Sequence, residues 1–269
     1  MTIAHLSDLH FGRIAHDGIV EALVAEINAR ADDLVVLSGD LTQRARPSEF
    51  EAARAMLSRL NPPTLVVPGN HDVYPWWRPI RRLWTPLRRY KRYVTDDLTP
   101  RFVRDGMAVL GVNTAYGATI KGGRVGPAAR RAIQDVFGNG DEGAFKVLVL
   151  HHHLSTLRSL SVHDVARQAR RTLDAAAETG VHLILCGHLH VSHVEPLQVV
   201  PGEQRIVVAS AGTATSNRGR SGEGPINRYN VVTVTDDAFR IEERRYVPGD
   251  GQFEHERTTR FDRRPPPVR

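Results

Sequence analysis

Short apolar runs alternate with helical patterns along the first two-thirds of the chain. Residues 3–7, 34–38, 65–67, 108–112, 147–150 and 183–186 are apolar runs, each bounded by Gly, Asp, Asn or His. Runs of this length with such flanks predict buried strands. Between them, residues 18–31, 47–59, 127–137 and 162–178 predict helices. In the first, Ile19, Leu23 and Ile27 recur at four-residue steps, a stripe suited to face a core. This alternation predicts βαβ units and an α/β sheet. After Cys186 the pattern changes: residues 206–210, 230–234 and 239–246 read as strands with no long helix among them. They predict a second sheet or an antiparallel extension of the first. Residues 1–250 are expected to form a single domain, followed by a tail over 251–269 whose Pro- and Arg-rich end frays.

Composition narrows the class without naming it. The chain has 269 residues, 41% hydrophobic and 25% charged, as soluble globular domains do. Its formal charge of +6 favours anionic partners but does not separate nucleotide, nucleic acid and lipid headgroup. The single Cys186 excludes an intramolecular disulfide. No apolar run reaches the roughly 18 residues of a spanning helix. The first strand starts at Thr2 and chemistry begins by Asp8, leaving no room for a cleavable leader. A cytoplasmic enzyme is the expectation.

Metal-ligand residue types follow five of the predicted strands. They are Asp8 and His10, then Gly39-Asp40, Gly69-Asn70-His71-Asp72, His151-His152-His153 and Gly187-His188-Leu189-His190. On extended chain, residues i and i+2 point to one side, so Asp8 with His10, and His188 with His190, could each reach one ion. In open α/β sheets, functional groups gather beyond the carboxyl ends of strands. Unrelated turns would place some apolar residues at these ends, and none is there.

In this order, D-x-H, G-D, G-N-H-D, H and G-H-x-H resemble the calcineurin-like metallophosphoesterases. The resemblance runs from Asp8 to His190. It implies an α/β fold, a four-layer αββα sandwich with two central mixed β-sheets and a dinuclear metal centre at strand ends. It implies Asp8, His10 and His190 on one ion, Asn70, His151 and His188 on the other, and Asp40 bridging both. His151 is chosen because it directly ends its strand, and His152 stays the alternative. Imidazole with carboxylate suits manganese, iron or zinc. Two such ions about 3.5–4 Å apart generate a bridging hydroxide to attack phosphorus, and they neutralise the phosphate oxygens. His71 lies outside the ligand set, on the leaving-group side, as a proton donor or a phosphate contact. Asp72 is expected to support it from behind, His5 to be a core histidine, and Cys186 a small core residue rather than a nucleophile.

Two segments bear on the substrate. Residues 75–94 hold seven Arg and Lys, no acid, and all three tryptophans, with Trp76, Ile80, Leu83, Trp84 and Leu87 at helical steps. They predict a basic aromatic helical insertion over 75–95 that overhangs the site as a lid. Its apolar side is expected to pack on the domain or on a second subunit of a homodimer, with peripheral membrane contact through 76–94 as the alternative. The loop at 213–227 carries Arg218-Gly219-Arg220 and resembles the corresponding loop of bacterial cyclic-nucleotide phosphodiesterases, making Arg218 and Arg220 candidate substrate contacts. The expected activity is therefore hydrolysis of a small phosphodiester, most of all a 3',5'-cyclic nucleotide. The alternatives are a hydrolase of a lipid-linked nucleotide sugar of the UDP-2,3-diacylglucosamine type and a broad phosphomonoesterase.

Overall fold

The computed structural model describes residues 1–104, 106–119, 121–156, 165–199, 205–219 and 226–263. Two six-stranded sheets lie face to face, with helices outside each. In the first sheet, β1 (Thr2–Leu6), β2 (Leu34–Leu37) and β3 (Thr64–Val66) run parallel. In the second, the central strands are β5 (Met107–Gly111), β6 (Phe145–Val149), β7 (Leu183–Cys186) and β9 (Ile206–Ser210), also parallel. Strands β2, β5, β6, β7 and β9 are buried at every residue because both faces are covered, which is why their sequences do not alternate.

Antiparallel strands complete both sheets. β4 (Arg101–Arg104) pairs with β5, and β8 (His193–Leu197) with β9. On the other sheet, β10 (Arg228–Val234) joins β1, β11 (Ala238–Val247) joins β10, and β12 (Gln252–Asp262) joins β11. The changed pattern after Cys186 thus resolves both ways: β9 extends the second sheet, and β10 to β12 extend the first. Within the tail expected over 251–269, residues Gln252–Asp262 pair with β11 as β12, and residues 264–269 lie outside the described ones.

Three apolar layers hold the sandwich. Ile3, Val36 and Leu65 meet Val109, Val147 and Leu185 between the sheets. Outside the first sheet, α1 (Ile19–Arg30) buries Ile19, Leu23 and Ile27, the expected stripe, beside α2 (Pro47–Leu57). Outside the second lie α5 (Pro127–Ile133), which passes into a π-helical turn at Gln134–Gly138, and α6 (Ala169–Glu178). The helix expected from residue 162 starts only at Ala169. Gln168 before it takes a left-handed φ of 68°, and residues 162–164 lie outside the described ones.

The insertion forms two six-residue helices, α3 (Pro79–Trp84) and α4 (Arg88–Tyr93), not one continuous helix. Pro86 divides them because proline disfavours a helical conformation in the residue before it. Tyr90 and Leu87 anchor the segment in the core, and Tyr90 donates to Val66 O at 2.9 Å. The Arg82 guanidinium is buried and donates to Gly117 O at 2.9 Å and to the carbonyls of Tyr74 and Thr119. Of the insertion's apolar side, Leu87 packs on the domain while Trp76, Ile80, Leu83 and Trp84 are exposed. No helix among the described residues is long and apolar enough to cross a membrane.

Candidate metal centre

The carboxyl ends of β1, β2 and β3 in one sheet meet those of β6 and β7 in the other, and every expected ligand sits in the loops between them. Asp8, His10, Asp40 and His190 form one cluster of donor atoms. His151, His152 and His188 form a second. The i, i+2 reasoning succeeds for Asp8 and His10 but for a different cause. Both residues are left-handed, at φ 53° and 47°, rather than extended. It fails for the other pair: His188 joins the second cluster and His190 the first.

Backbone partners aim each group. Ser7 Oγ and the His188 amide occupy Asp8 Oδ2 at 2.6 and 2.9 Å, so Oδ1 faces His190 Nε2 at 3.1 Å and His10 Nε2 at 3.5 Å. His10 Nδ1 donates to Thr42 O at 3.3 Å and His151 Nδ1 to Ser38 O at 2.8 Å, which leaves both Nε2 atoms directed inward. The His71 amide holds Asp40 Oδ1 at 2.8 Å, and Asp40 Oδ2 then lies 3.7 Å from His10 Nε2 and 3.4 Å from His151 Nε2. Asn70 Oδ1 completes the second group, 3.1 Å from His151 Nε2 and 3.0 Å from His188 Nδ1. His152 is placed differently. Its Nδ1 meets Thr114 Oγ1 at 2.8 Å and its Nε2 meets Lys121 O at 3.1 Å, so both ring nitrogens are engaged.

The arrangement fits cations. Asp8 Oδ1 is buried without a hydrogen bond, and the Nε2 atoms of His10 and His190 face each other at 3.1 Å. Electrostatics agree. Burial opposes charge on Asp8 and Asp40, yet the facing imidazoles, His190 first for Asp8 and His151 first for Asp40, hold both carboxyls well below the usual carboxylate range. Burial also opposes charge on His151, but the Asp40 carboxylate outweighs it and lifts this imidazole to about 9. His188 is pushed down to about 3 by burial, then by the His151 charge.

Three glycines leave the space these ligands need. A Cβ on Gly39 would lie 2.5 Å from His151 Nδ1, one on Gly69 would land on the Asp40 carboxylate, and one on Gly187 on Ser7 and Asp8. Asp72 makes no hydrogen bond to the His71 ring. Its carboxylate accepts from the amides of Leu41, Thr42 and Gly69 and from Thr42 Oγ1, tying the Asp40 loop to the Asn70 turn. Burial and the nearby Asp40 charge raise it to about 7. His5 is fully buried between Ser38 Oγ and the Asn230 amide, and Cys186 is buried in β7, where burial pushes its thiol up.

A family model for calcineurin-like phosphoesterases matches residues 1–192. The chain belongs to this family. It is a dinuclear metal-dependent phosphoesterase. The glycerophosphodiester phosphodiesterase GpdQ of Enterobacter lignolyticus is 27% identical over 206 residues, covering 71% of each chain. The 3',5'-cyclic adenosine monophosphate phosphodiesterase CpdA of Haemophilus influenzae is 25% identical over 59% of this chain and 54% of its own length. Among solved structures, a dimetal phosphatase from Danio rerio superposes with a TM-score of 0.67 at 12% identity, covering 95% of this chain and 98% of that one. A purple acid phosphatase from yellow lupin reaches 0.70 at 10% identity, over 97% of this chain and 53% of its own. The two structures establish the fold.

Beside the phosphoesterase centre opens a cleft of ≈ 250 Å³ walled by Asn70, His71, Trp76, Trp77, Arg82 and Arg218. The His71 ring donates through Nδ1 to Gln43 O at 2.6 Å and receives Arg218 Nη1 on Nε2 at 2.7 Å. Burial holds His71 down to about 4, against the opposing pull of Asp40, so it is neutral near pH 7. Arg220 lies outside the described residues. Sequence reading missed Ser7, Gln43, Thr213 and Thr215. Thr213 Oγ1 and Thr215 Oγ1 donate to the carbonyls of Asp8 and Leu9 at 2.7 and 2.8 Å, fastening the first ligand loop from two hundred residues away. A lone Ser or Thr carries no pattern by which such a role could be read.

Proposed function

We propose that the protein is a phosphodiesterase acting on small diesters, with 3',5'-cyclic nucleotides as the leading class. In this reading Asp8, His10 and His190 hold one ion, Asn70, His151 and His188 the other, and Asp40 bridges them. The observation that carries it is Asp40 Oδ2, which faces a ligand of each group within 3.7 Å, next to Asn70 and His71, which line an arginine- and tryptophan-walled cleft. The names of two relatives, one acting on glycerophosphodiesters and one on cyclic AMP, support diesters over monoesters. Mixed imidazole and carboxylate donors favour manganese, iron or zinc. Bound there, two ions supply positive charge to the phosphate oxygens and acidify a shared water.

The chain's own groups do the rest. Water adds to phosphorus, releasing one proton to solvent, as the bond to the ribose oxygen breaks, and that oxygen leaves with a proton drawn from solvent. His71 fixes Arg218 rather than donating itself, because its Nδ1–H is committed to Gln43 and its Nε2 accepts. The guanidinium forks onto the phosphate and offsets charge on the leaving oxygen. Trp76 and Trp77 offer faces for a base.

The test uses purified manganese-loaded protein. Bis-(p-nitrophenyl) phosphate should be cleaved with a higher kcat/KM than the mono-ester, and cyclic AMP should yield AMP. Asp40→Ala should lose at least one metal equivalent. Arg218→Ala should raise KM more than it lowers kcat, and should be non-additive with His71→Ala. Preference for the mono-ester would establish the phosphomonoesterase alternative instead. Rapid turnover of UDP-2,3-diacylglucosamine without action on cyclic nucleotides would establish the lipid-linked reading, which the exposed aromatic face beside the cleft favours.

A further inference from the structure

Five of the six large hydrophobic side chains that the described residues leave exposed fall between positions 76 and 84. They are Trp76 at 66%, Trp77 at 45%, Ile80 at 74%, Leu83 at 57% and Trp84 at 76%. This is not slack chain. Tyr90 is bonded to Val66, Arg89 Nη1 donates to Ala45 O at 2.7 Å, and Arg82 clamps three carbonyls. The segment is held firmly with its apolar side turned to water, at a cost of about 25 cal/mol for each Å² left wet. A contiguous apolar patch so held marks an interaction surface.

Charge identifies the occupant. Arg78, Arg81, Arg88, Lys91 and Arg92 are exposed around the aromatics, and residues 75–94 contain no acid. A second copy docked through this face would set cation against cation across a two-fold axis, which is destabilising. A nucleic acid would use the cations and the tryptophans but would leave Ile80 and Leu83 wet. An anionic bilayer satisfies all three: tryptophan rings at the headgroup level, aliphatic side chains below them, arginine and lysine on the lipid phosphates. A second cavity of ≈ 760 Å³, bordered by Trp84, Arg88, Lys91, Arg92 and Asp96, opens on this face with more cations than acids on its wall.

We propose that this face, residues 76–92, docks the protein on an anionic lipid surface. Because Trp76 and Trp77 also wall the catalytic cleft, docking sets the mouth of the cleft against the membrane. The inference stands whichever diester is cleaved.

The experiment is co-sedimentation of the full chain with vesicles of pure phosphatidylcholine and of phosphatidylcholine with about one-third phosphatidylglycerol. Binding needs no catalysis, so the result is independent of substrate identity. The protein should pellet with the anionic vesicles, bind neutral ones at least about tenfold more weakly, and come off in high salt. Two variants separate the contributions: Ile80→Ser with Leu83→Ser and Trp84→Ser, and Arg81→Glu with Arg88→Glu and Lys91→Glu. Each should lose about tenfold or more in vesicle affinity, with hydrolysis of soluble bis-(p-nitrophenyl) phosphate unchanged. Failure of the parent protein to pellet, or unchanged binding by either variant, overturns the proposal. So does a dimer in light scattering that the apolar variant dissociates, or tighter binding of a single-stranded oligonucleotide than of anionic vesicles through the same residues.

Discussion

Gly39 precedes Asp40 in a backbone conformation, φ 99°, that side chains rarely adopt. A Cβ there would lie 2.5 Å from His151 Nδ1 and 2.9 Å from Gly69 Cα, where ordinary contact begins at 3.4 Å. Gly39→Ala must therefore push the His151 ring by roughly 1 Å, off its bond to Ser38 O, or shift the Gly69 turn that carries Asn70. Either movement separates His151 Nε2 from Asp40 Oδ2, now 3.4 Å away. Overpacking and backbone strain together should cost about 2–4 kcal/mol, a fall in Tm on the order of 5–10 °C. Displacement of a catalytic group by about 1 Å costs about 10² in rate. The assay is kcat on bis-(p-nitrophenyl) phosphate with metal content on the same sample, well below the lowered Tm. Gly249→Ala, where a Cβ meets nothing within 4 Å, controls for the substitution itself. A Gly39→Ala protein with two metal equivalents and parental kcat would refute the argument that this empty volume positions His151.

Two further perturbations test parts of the fold that serve the site. Burial holds His5 down to about 3 against an ordinary 6.5, so the neutral ring's contribution is complete above pH 6.5 and is lost as pH falls toward 3, with a slope of about 1.4 kcal/mol per pH unit. In chelated protein, His5→Gln should flatten the dependence of unfolding free energy on pH between about 6 and 4; curves that run parallel to the parent's would contradict the assignment. Arg82→Met should leave the carbonyls of Tyr74, Gly117 and Thr119 without their donor. Trypsin should then cut within residues 78–92 about tenfold faster, the equivalent of ~1.4 kcal/mol of local stability, while the sheets stay intact; unchanged cleavage would show that other contacts seat the insertion.

The sandwich was legible where burial writes a simple pattern. Central strands such as β6 and β7 are apolar throughout because both faces are covered, and each ends abruptly in a ligand residue. Three of the four edge strands were not legible. β4 reads RFVR and is exposed along most of its length, β8 contains Pro196, and β12 is polar on both faces over most of its eleven residues. Edges need no alternation and tolerate charge and proline. At the site, residue types and order announced the ligands, but not which nitrogen faces inward, since that depends on carbonyls such as Thr42 and Ser38 brought in by folding. What covers the outward face of the insertion was not legible, for a related reason. Helical spacing shows that Ile80, Leu83 and Trp84 share a side, but not whether anything covers it.

Asp8, His10, Asp40, His188 and His190 all hold positive φ, at 53°, 47°, 53°, 71° and 56°. Each such residue stores on the order of 1 kcal/mol or more that glycine would not. Catalysis and robustness therefore pull in opposite directions at these positions. Glycine at any of them would relieve that strain but erase a donor atom and strand buried partners such as the His71 amide, which now donates to Asp40. Relaxed loops and a filled donor set are therefore mutually exclusive at these five positions.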